Sequence, residues 1–293
     1  MSDDLPAPGP DENRTIAVRL REYADLLEQQ ADDGFRIRAY RAAADAAEAL
    51  HRPLRDIRAE GGIDALIALP KIGRGIAGAI SAMLDHGVWP QLDRLRGEAT
   101  PERLLRTIPG IGAKLASRIA SEADIETLED LESVLRLSPG KLPFIGPRRR
   151  TAILDTLSAR LGRMRRPTAR PAPSDALPPV SLLLDADQLY RSRAEAGTLR
   201  LIAPRRFNPT GEAWLPVMHA RRDDWHLTAL FSNTAQAHEL GRTRDWVVVY
   251  FHRTGESEAR ATIVTETHGA LAGKRVVRGR EAECATHYGL AGV

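Results

Sequence analysis

The sequence predicts a multidomain protein with an all-α N-terminal half and an α+β C-terminal domain. Three observations favour this fold class: apolar residues recur at helical spacing in the first half, a basic, proline-rich stretch interrupts the pattern, and valine- and tryptophan-containing segments follow it. At 293 residues the chain is long enough for two domains with cores of their own. We expect a disordered tail at 1–12, a helical domain at 13–97, further helical hairpins at 98–162, a linker at 163–178 and an α+β domain at 179–293.

Helices come first along the chain. Apolar side chains fall on one face of the first predicted helix, at Ile16, Leu20, Tyr23 and Leu27. The alanine-rich segment 35–50 repeats this spacing, and its small side chains predict close packing between helices. Gly61-Gly62 then predicts a break in the chain.

A short pattern of an apolar residue, proline, any residue, isoleucine and glycine occurs three times. The copies are Leu69–Gly73, Ile108–Gly112 and Leu142–Gly146, which begin 39 and 34 residues apart, and each precedes an apolar helix face. The middle copy, with both Gly110 and Gly112, resembles the helix-hairpin-helix motif, a sequence-independent binder of the DNA backbone. The other two copies each lack one hairpin glycine, and glycines that merely end helices are the alternative interpretation.

Such a hairpin suits a phosphate group. Its glycines uncover backbone N–H groups, and the helix behind them directs its N-terminus at the same small volume. The predicted DNA-binding residues are Gly73, Arg74, Gly75, Gly110, Ile111, Gly112, Lys114, Gly146, Arg148, Arg149 and Arg150. No cofactor is required for this binding, although a monovalent cation at the hairpins is compatible with it.

Charge is distributed unevenly along the chain. The formal net charge is only +3, yet nine Lys and Arg residues stand against the single acid Asp155 between Lys141 and Arg170. Such an excess favours a polyanionic partner. A solvated basic linker near a domain boundary is the alternative.

Residues 13–160 resemble the N-terminal region of the family X DNA polymerases, the polymerase beta-like group. The resemblance rests on the segment Phe35–Ala43, the hairpin at Leu69, and the hairpin at Ile108 followed by Thr127-Leu128-Glu129-Asp130-Leu131. It implies that the first hairpin region holds the DNA end downstream of a gap and that the second holds the primer-strand backbone.

The chain departs from that family at positions that carry catalysis. Members with deoxyribose phosphate lyase activity have lysines after the first hairpin, where this chain has Gly75 and Ala79. Lys71 instead occupies the position of a hairpin glycine. Tyr40 matches a tyrosine of the family's DNA-end pocket, with packing between helices as the alternative. The departures argue against lyase activity.

The C-terminal domain is predicted to combine strands with short helices. The expected strands are 180–184, 199–202, 214–219, 225–231, 246–251 and 261–265, and the expected helices are 187–196 and 235–240, the second capped by Asn233 or Thr234. Asp185 and Asp187 have the spacing of the polymerase family's metal-binding carboxylates, and Glu266 is the candidate third, but no Gly-Ser pair precedes them. Mg²⁺ is implied only if these residues are catalytic; otherwise Asp187 caps a helix.

The remaining candidates in this domain each have a structural alternative. Segments 231–241, 245–250 and 275–284 resemble a little-described domain of bacterial helix-hairpin-helix proteins. One candidate is a zinc site, if the fold gathers His219, His226, His238, His252, His268 and His287. A second is a phosphate site at Arg278 and Arg280, with an ion-pair network as the alternative. Residues 205–209 with Trp214 and Trp225 have either a base-stacking or a core role, and Cys284 is either structural or reactive.

Three functions remain open from the sequence. The first is a non-catalytic DNA-binding protein of DNA repair that takes gapped, nicked or ended duplex. The second is a DNA-end-processing nuclease or nucleotidyltransferase, and the third is a scaffold that recruits repair proteins. A single cysteine and an acidic, proline-rich N-terminus without a signal-peptide pattern predict a cytoplasmic, nucleoid-associated protein without membrane contact.

Overall fold

A computed structural model describes residues 10–30, 32–123, 125, 127–162, 177–253, 256 and 258–290. Residues 1–9 of the expected tail and 163–176 of the expected linker lie outside the described residues. Asp11 and Glu12, predicted in the tail, instead form the first turn of a helix. Negative side chains are favourable there because they face the positive end of the helix dipole.

The N-terminal half is helical, as predicted. Its helices are α1 (Asp11–Gln29), α2 (Gly34–Glu48), α3 (Leu54–Ile67), α4 (Arg74–His86), α5 (Pro90–Leu95), α6 (Pro101–Leu105), α7 (Ala113–Glu122), α8 (Leu128–Leu137) and α9 (Pro147–Gly162). The expected break at Gly61-Gly62 is a kink inside α3, where both glycines leave helical backbone angles.

The C-terminal region is a sheet with helices, which confirms the predicted fold class. Its elements are α10 (Val180–Glu195), β1 (Arg200–Ile202), β2 (Leu215–Arg222), β3 (Trp225–Phe231), α11 (Ala235–Glu239), β4 (Val247–Arg253), β5 (Ala259–Thr265), β6 (Arg275–Val277) and α12 (Glu281–His287). The six strands form an antiparallel meander in the order β1 to β6.

The strand predicted at 180–184 is wrong, because these residues begin α10. The buried side chains of this helix follow helical spacing, at Val180, Leu183, Leu184, Asp187 and Tyr190. A short apolar run does not distinguish a buried strand from a buried helix segment. Here the spacing continues beyond the run and favours the helix.

The sheet lies between two layers of helices. One face packs against α10 and α12 and contributes Leu227, Val249 and Phe251 to their core. The opposite face contributes Val217 and Leu230 to the core of α1–α5. Successive strand residues point to opposite faces, so one sheet serves both cores. Residues 11–95, which we call the first module, are thus packed directly on the sheet.

Buried polar side chains also join the first module to the sheet. Arg94 on α5 donates two hydrogen bonds to Glu258, at 2.5 and 3.2 Å, and its guanidinium lies 3.3 Å from the ring centroid of Tyr250 on β4. His219 on β2 hydrogen-bonds through Nε2 to Oε1 of Gln30, at 2.9 Å. Such directional contacts fix how the two layers sit against each other.

Residues 101–162, which we call the second module, have a core of their own. It contains Leu105, Ile108, Ile111, Ala116, Ile119, Ile125, Leu131, Leu135, Leu142, Ile145, Ile153 and Leu157. Polar contacts link this module to the first: Arg103 donates to Asp93 at 2.5 and 2.8 Å, and Arg106 donates to the carbonyl of His86 at 3.4 Å.

Candidate nucleic-acid interface

The hairpin between α6 and α7 presents its backbone to solvent. Ile108 and Ile111 are buried, and the N–H of Ile111 donates to the carbonyl of Ile108 at 3.0 Å. Gly110 between them has φ +85°, a left-handed conformation that side chains disfavour. The two isoleucines therefore anchor the turn while Gly110 and Gly112 stay exposed.

The N-terminus of α7 leaves backbone amides open toward solvent. Gly112 is the N-cap and supplies no side-chain cap. The first intrahelical bond runs from the N–H of Ala116 to the carbonyl of Gly112 at 2.9 Å, so the amides of 113–115 have no partner within the helix. These amides and the helix dipole favour an anion.

Some of the other described helices satisfy the same amides with a side chain. Thr100, Thr127 and Thr234 accept hydrogen bonds from the first-turn amides of α6, α8 and α11. Threonine caps satisfy groups that would otherwise need water or a ligand. Helices α1, α3, α5, α10 and α12 also lack a side-chain cap, but their N-caps are proline, tryptophan or arginine, whereas α4 and α7 have a glycine there and leave the position open.

The hairpin between α3 and α4 has the same backbone arrangement. The N–H of Ile72 donates to Leu69 at 3.2 Å, and Gly73 is an N-cap with φ −81° and ψ 172°, against −81° and 176° at Gly112. Lys71 occupies the position of Gly110 and adopts φ +65° although it is not glycine. The sequence predicts Lys71 at the position of a hairpin glycine, and the structure shows the strained conformation that follows.

The third hairpin, between α8 and α9, repeats the anchoring bonds. The N–H of Ile145 donates to Leu142 at 3.0 Å, and that of Arg150 donates to Gly146 at 2.9 Å. Phe144 replaces the central glycine, and its ring receives the guanidinium of Arg118 on α7 at 3.9 Å from the centroid. This contact packs the third hairpin against the helix of the second.

Basic side chains accompany all three hairpins. They are Arg74, Lys114, Arg148, Arg149 and Arg150, of which all but the half-buried Arg150 are exposed. Within the described residues, none of them pairs with a carboxylate. Arg118 in the same module, by contrast, forms an ion pair with Glu122. Uncompensated positive charge is therefore concentrated beside the open amides.

Comparison with protein families agrees with this geometry. Residues 11–89 match a helix-hairpin-helix domain, and residues 63–124 match a SAM-like helix-hairpin-helix tandem. Together the two matches include the first two hairpins, whereas the third lies beyond them. No curated protein matches the chain. Helix-hairpin-helix domains indicate nucleic-acid binding, in keeping with open amides and uncompensated cations.

The candidate catalytic carboxylates do not come together. Asp187 is buried and receives two hydrogen bonds from Arg275, at 2.7 and 2.9 Å, while Asp185 is exposed on another side of α10. Glu266 accepts from Arg278 at 2.8 Å. Within the described parts of the chain, no three His, Cys, Asp or Glu side chains are placed to hold a metal ion.

The fold gathers three of the six histidines on one face of the sheet. His226 and His252 are paired across β3 and β4, with ring centroids 5.2 Å apart, and His219 lies on neighbouring β2. Burial lowers the pKa of His219 and that of His252 to about 4 and also lowers that of His226. These histidines pack as neutral side chains beneath the first module. Their alternation with apolar residues along the strands indicated that they share one face of the sheet, but not that the first module covers that face.

Other polar candidates are engaged in structural contacts. Arg280 donates to Glu283 at 2.5 and 2.8 Å, which favours the ion-pair alternative over a phosphate site. Cys284 is buried, its sulfur accepts from the N–H of Val277 at 3.3 Å, and burial raises the pKa of its thiol. A protonated, buried thiol is a poor nucleophile.

The aromatic candidates separate into core and surface groups. Tyr40 packs against Tyr23 and Trp89, with centroids 4.8 and 5.8 Å away, which favours helix packing over a DNA-end pocket. Trp225 is buried against Phe251. Phe207, by contrast, is exposed. Among the described residues, no helix is long and apolar enough to span a membrane.

Proposed function

We propose that this protein binds DNA without sequence preference and acts in DNA repair, holding the sugar–phosphate backbone of gapped, nicked or ended duplex. The observation that carries the proposal is the repeated hairpin: it is anchored by buried isoleucines, its helix amides are uncapped, and the cations beside it pair with no carboxylate among the described residues. Contacts of this kind fix position and affinity but carry no base information.

The resemblance to family X polymerases supports the preference for interrupted duplex. That family uses two hairpin regions on two sides of a gap, and this chain has hairpins at the corresponding positions. Gly75 and Ala79 stand where lyase lysines would be, and Asp187 is bound to Arg275. We therefore propose binding rather than catalysis, in a nucleoid-associated, cytoplasmic protein whose partners include repair enzymes. Binding requires no cofactor, and a monovalent cation at the hairpins is compatible with it.

A serine at position 112 separates DNA binding from folding. Gly112 has ordinary backbone angles and open space around its Cβ position, so Gly112→Ser fits without strain. Its hydroxyl would accept from the first-turn amides of α7, which stabilises the helix. The same hydroxyl and Cβ would occupy the place of a phosphate.

Affinity for a labelled gapped duplex and the thermal unfolding temperature are measured together for this variant. We expect weaker binding with equal or higher stability. Gly73→Ser repeats the test on the first hairpin. Unchanged affinity for both variants would contradict the proposed contact.

Sequence independence and structure preference need one further comparison. Scrambling the base sequence of the gapped duplex is expected to leave the dissociation constant unchanged, since base-edge contacts are absent from the proposal. A continuous duplex of the same length is expected to bind more weakly than the gapped one. Equal affinity for both would contradict the repair-intermediate preference while leaving backbone binding intact.

A further inference from the structure

We propose that the loop between β1 and β2 carries a stacking site for an unpaired base of single-stranded DNA. The proposal rests on the proposed function, because it adds a contact for the strand that leaves the duplex held by the hairpins. The site consists of Phe207, with His238 and Trp214 behind it and Arg205 and Arg206 beside it.

Phe207 is held in an unfavourable position. Its φ is +54°, a left-handed conformation that costs a non-glycine residue about 1–2 kcal/mol. Its side chain is nevertheless 43% exposed, so core packing does not repay this strain. Strained backbone of this kind clusters at active sites and in segments that hold ligands.

The ring is pre-positioned by its neighbours. Its centroid lies 4.5 Å from that of His238 at an interplanar angle of 38°, and Trp214 meets His238 edge-on at 6.3 Å. His238 Nε2 is 2.6 Å from Oδ1 of Asn233, whose Nδ2 donates to the carbonyl of Arg206 at 3.1 Å. A rigid aromatic surface loses little entropy when a base stacks on it.

Positive charge accompanies the ring. The guanidinium of Arg206 lies 4.6 Å from the centroid of Phe207. Arg205 is exposed and, within the described residues, has no ion-pair partner. An aromatic face for the base together with arginines for the adjoining phosphate is the combination by which proteins bind single strands.

The loop lies beside the hairpin modules. The N–H of Arg205 donates to the carbonyl of Gly97 at 2.7 Å, and Gly97 lies between α5 and α6, just before the second module. A Cβ at Gly97 would overlap the carbonyl of Ala203, so the two segments touch through backbone. The stacking site is thus connected directly to the segment that leads into the second module.

Phe207→Gly tests the site without endangering the fold, because glycine accepts φ +54° without strain. With an unpaired oligonucleotide and with a duplex bearing a 3′ overhang, we expect the affinity of the variant to fall about 5- to 150-fold, which corresponds to the loss of one stacked base. The variant should bind blunt duplex with the same affinity as the wild type does. Phe207→Trp should retain affinity, and His287→Ala, which removes an exposed aromatic side chain from α12, should bind all three DNAs as wild type does.

An abasic oligonucleotide of the same length separates base stacking from charge. Wild type is expected to bind it no better than Phe207→Gly does. Equal affinity of wild type and Phe207→Gly for the unpaired oligonucleotide, or an equal loss on blunt duplex, would overturn the stacking site. If wild type bound only the unpaired oligonucleotide, in a Phe207-dependent way, the duplex function would fail while the stacking site stood.

Discussion

The hairpins of the first and second modules have the same backbone conformation but pack against different parts of the protein. Gly73 and Gly112 have nearly the same angles and the same uncapped helix behind them. The first module packs its core onto the sheet, with contributions from Val217 and Leu230. The second has a self-contained core and reaches the first through Arg103 and Arg106.

Local sequence therefore determines the conformation of the hairpin, whereas tertiary packing determines how the hairpin is held in the fold. Apolar residues at the first and fourth positions and a glycine at the N-cap suffice for the turn in both settings. The first hairpin is consequently immobilised by a large shared core, whereas the second, among the described residues, belongs to a core separate from the sheet. A weakly coupled unit opens more readily and independently.

The largest effect is expected from breaking the buried pair under the first module. Burial opposes ionisation of both partners, but mutual attraction outweighs it, so the pKa of Glu258 is lowered and that of Arg94 is raised. Arg94→Ala leaves Glu258 buried without its partner and should cost about 3–5 kcal/mol of unfolding free energy.

Chemical denaturation measures this cost, and hydrogen exchange should show lost protection in α1 and β2 but not in α7. Arg52→Ala, which removes an exposed pair with Glu60, is the matched control and should change little. Equal loss of protection in α7 would contradict the separate cores.

A smaller loss is expected where the β1–β2 loop touches the segment before the second module. Gly97 and Gly87 both have positive φ, +75° and +67°, but only at Gly97 would a Cβ meet backbone. Gly87→Ala should cost about 1–2 kcal/mol through strain alone. Gly97→Ala should cost about 1–3 kcal/mol more, through overpacking, in thermal or chemical unfolding. Equal costs would mean that the loop yields freely.

Acid should destabilise the packing of the first module on the sheet, because buried histidines lie between them. Burial first, and then Arg36 and Arg94, lower the pKa of His219 to about 4, against an unfolded value of 6.5, whereas Asp32 opposes the shift. The unfolded chain therefore binds more protons between these values, and stability falls as pH falls through this window. The slope is about 1.4 kcal/mol per pH unit for each such histidine.

Unfolding free energies measured from pH 7 to pH 4 test this, with His219→Gln as the variant that cannot titrate. The unfolding free energy of this variant should change less steeply with pH, by the contribution of about one bound proton, or about 1.4 kcal/mol per pH unit. His252 continues to titrate in both proteins, so some slope remains. Identical slopes for variant and wild type would show that His219 is not held neutral by the fold.

The smallest effect concerns the residue at which the two hairpins differ. Lys71→Gly removes the left-handed strain of about 1–2 kcal/mol but adds about 0.5–1 kcal/mol of chain entropy, so a gain in stability of at most about 1.5 kcal/mol is expected. Gly110→Lys, the reciprocal change, should lower stability by a similar amount. Thermal unfolding of both variants checks the pair, and a loss in Lys71→Gly would contradict the strain at Lys71.

Much of the helical half could be predicted because its signals are local. Proline, isoleucine and glycine at fixed offsets mark each hairpin. In the C-terminal domain, the residue types of Trp225–Phe231 likewise mark a strand. The spacing of Asp185 and Asp187 misled because its meaning depends on the element. Two residues apart lie on one face of a strand but point roughly oppositely on a helix, and the segment is a helix.

The packing of the first module on the sheet could not be predicted in the same way. His219, Thr228 and Tyr250 alternate with apolar residues, a pattern that ordinarily means a solvent-facing side of a sheet. Here the helical module covers that side, and partners such as Gln30 and Arg94 lie far away in sequence. Pairing of buried polar groups across such distances leaves no local signature.

The measurement that tests backbone binding most directly is the salt dependence of duplex affinity. For wild type we expect a linear fall of log K with log salt concentration, with a slope of about −0.9 for each phosphate neutralised. Lys114→Gln should be shallower by about 0.9, whereas Lys274→Gln, which removes a lysine of the sheet domain beside Tyr288, should run parallel to wild type. A flat wild-type line, or a Lys114→Gln line no shallower than that of Lys274→Gln, would contradict phosphate binding at the second hairpin.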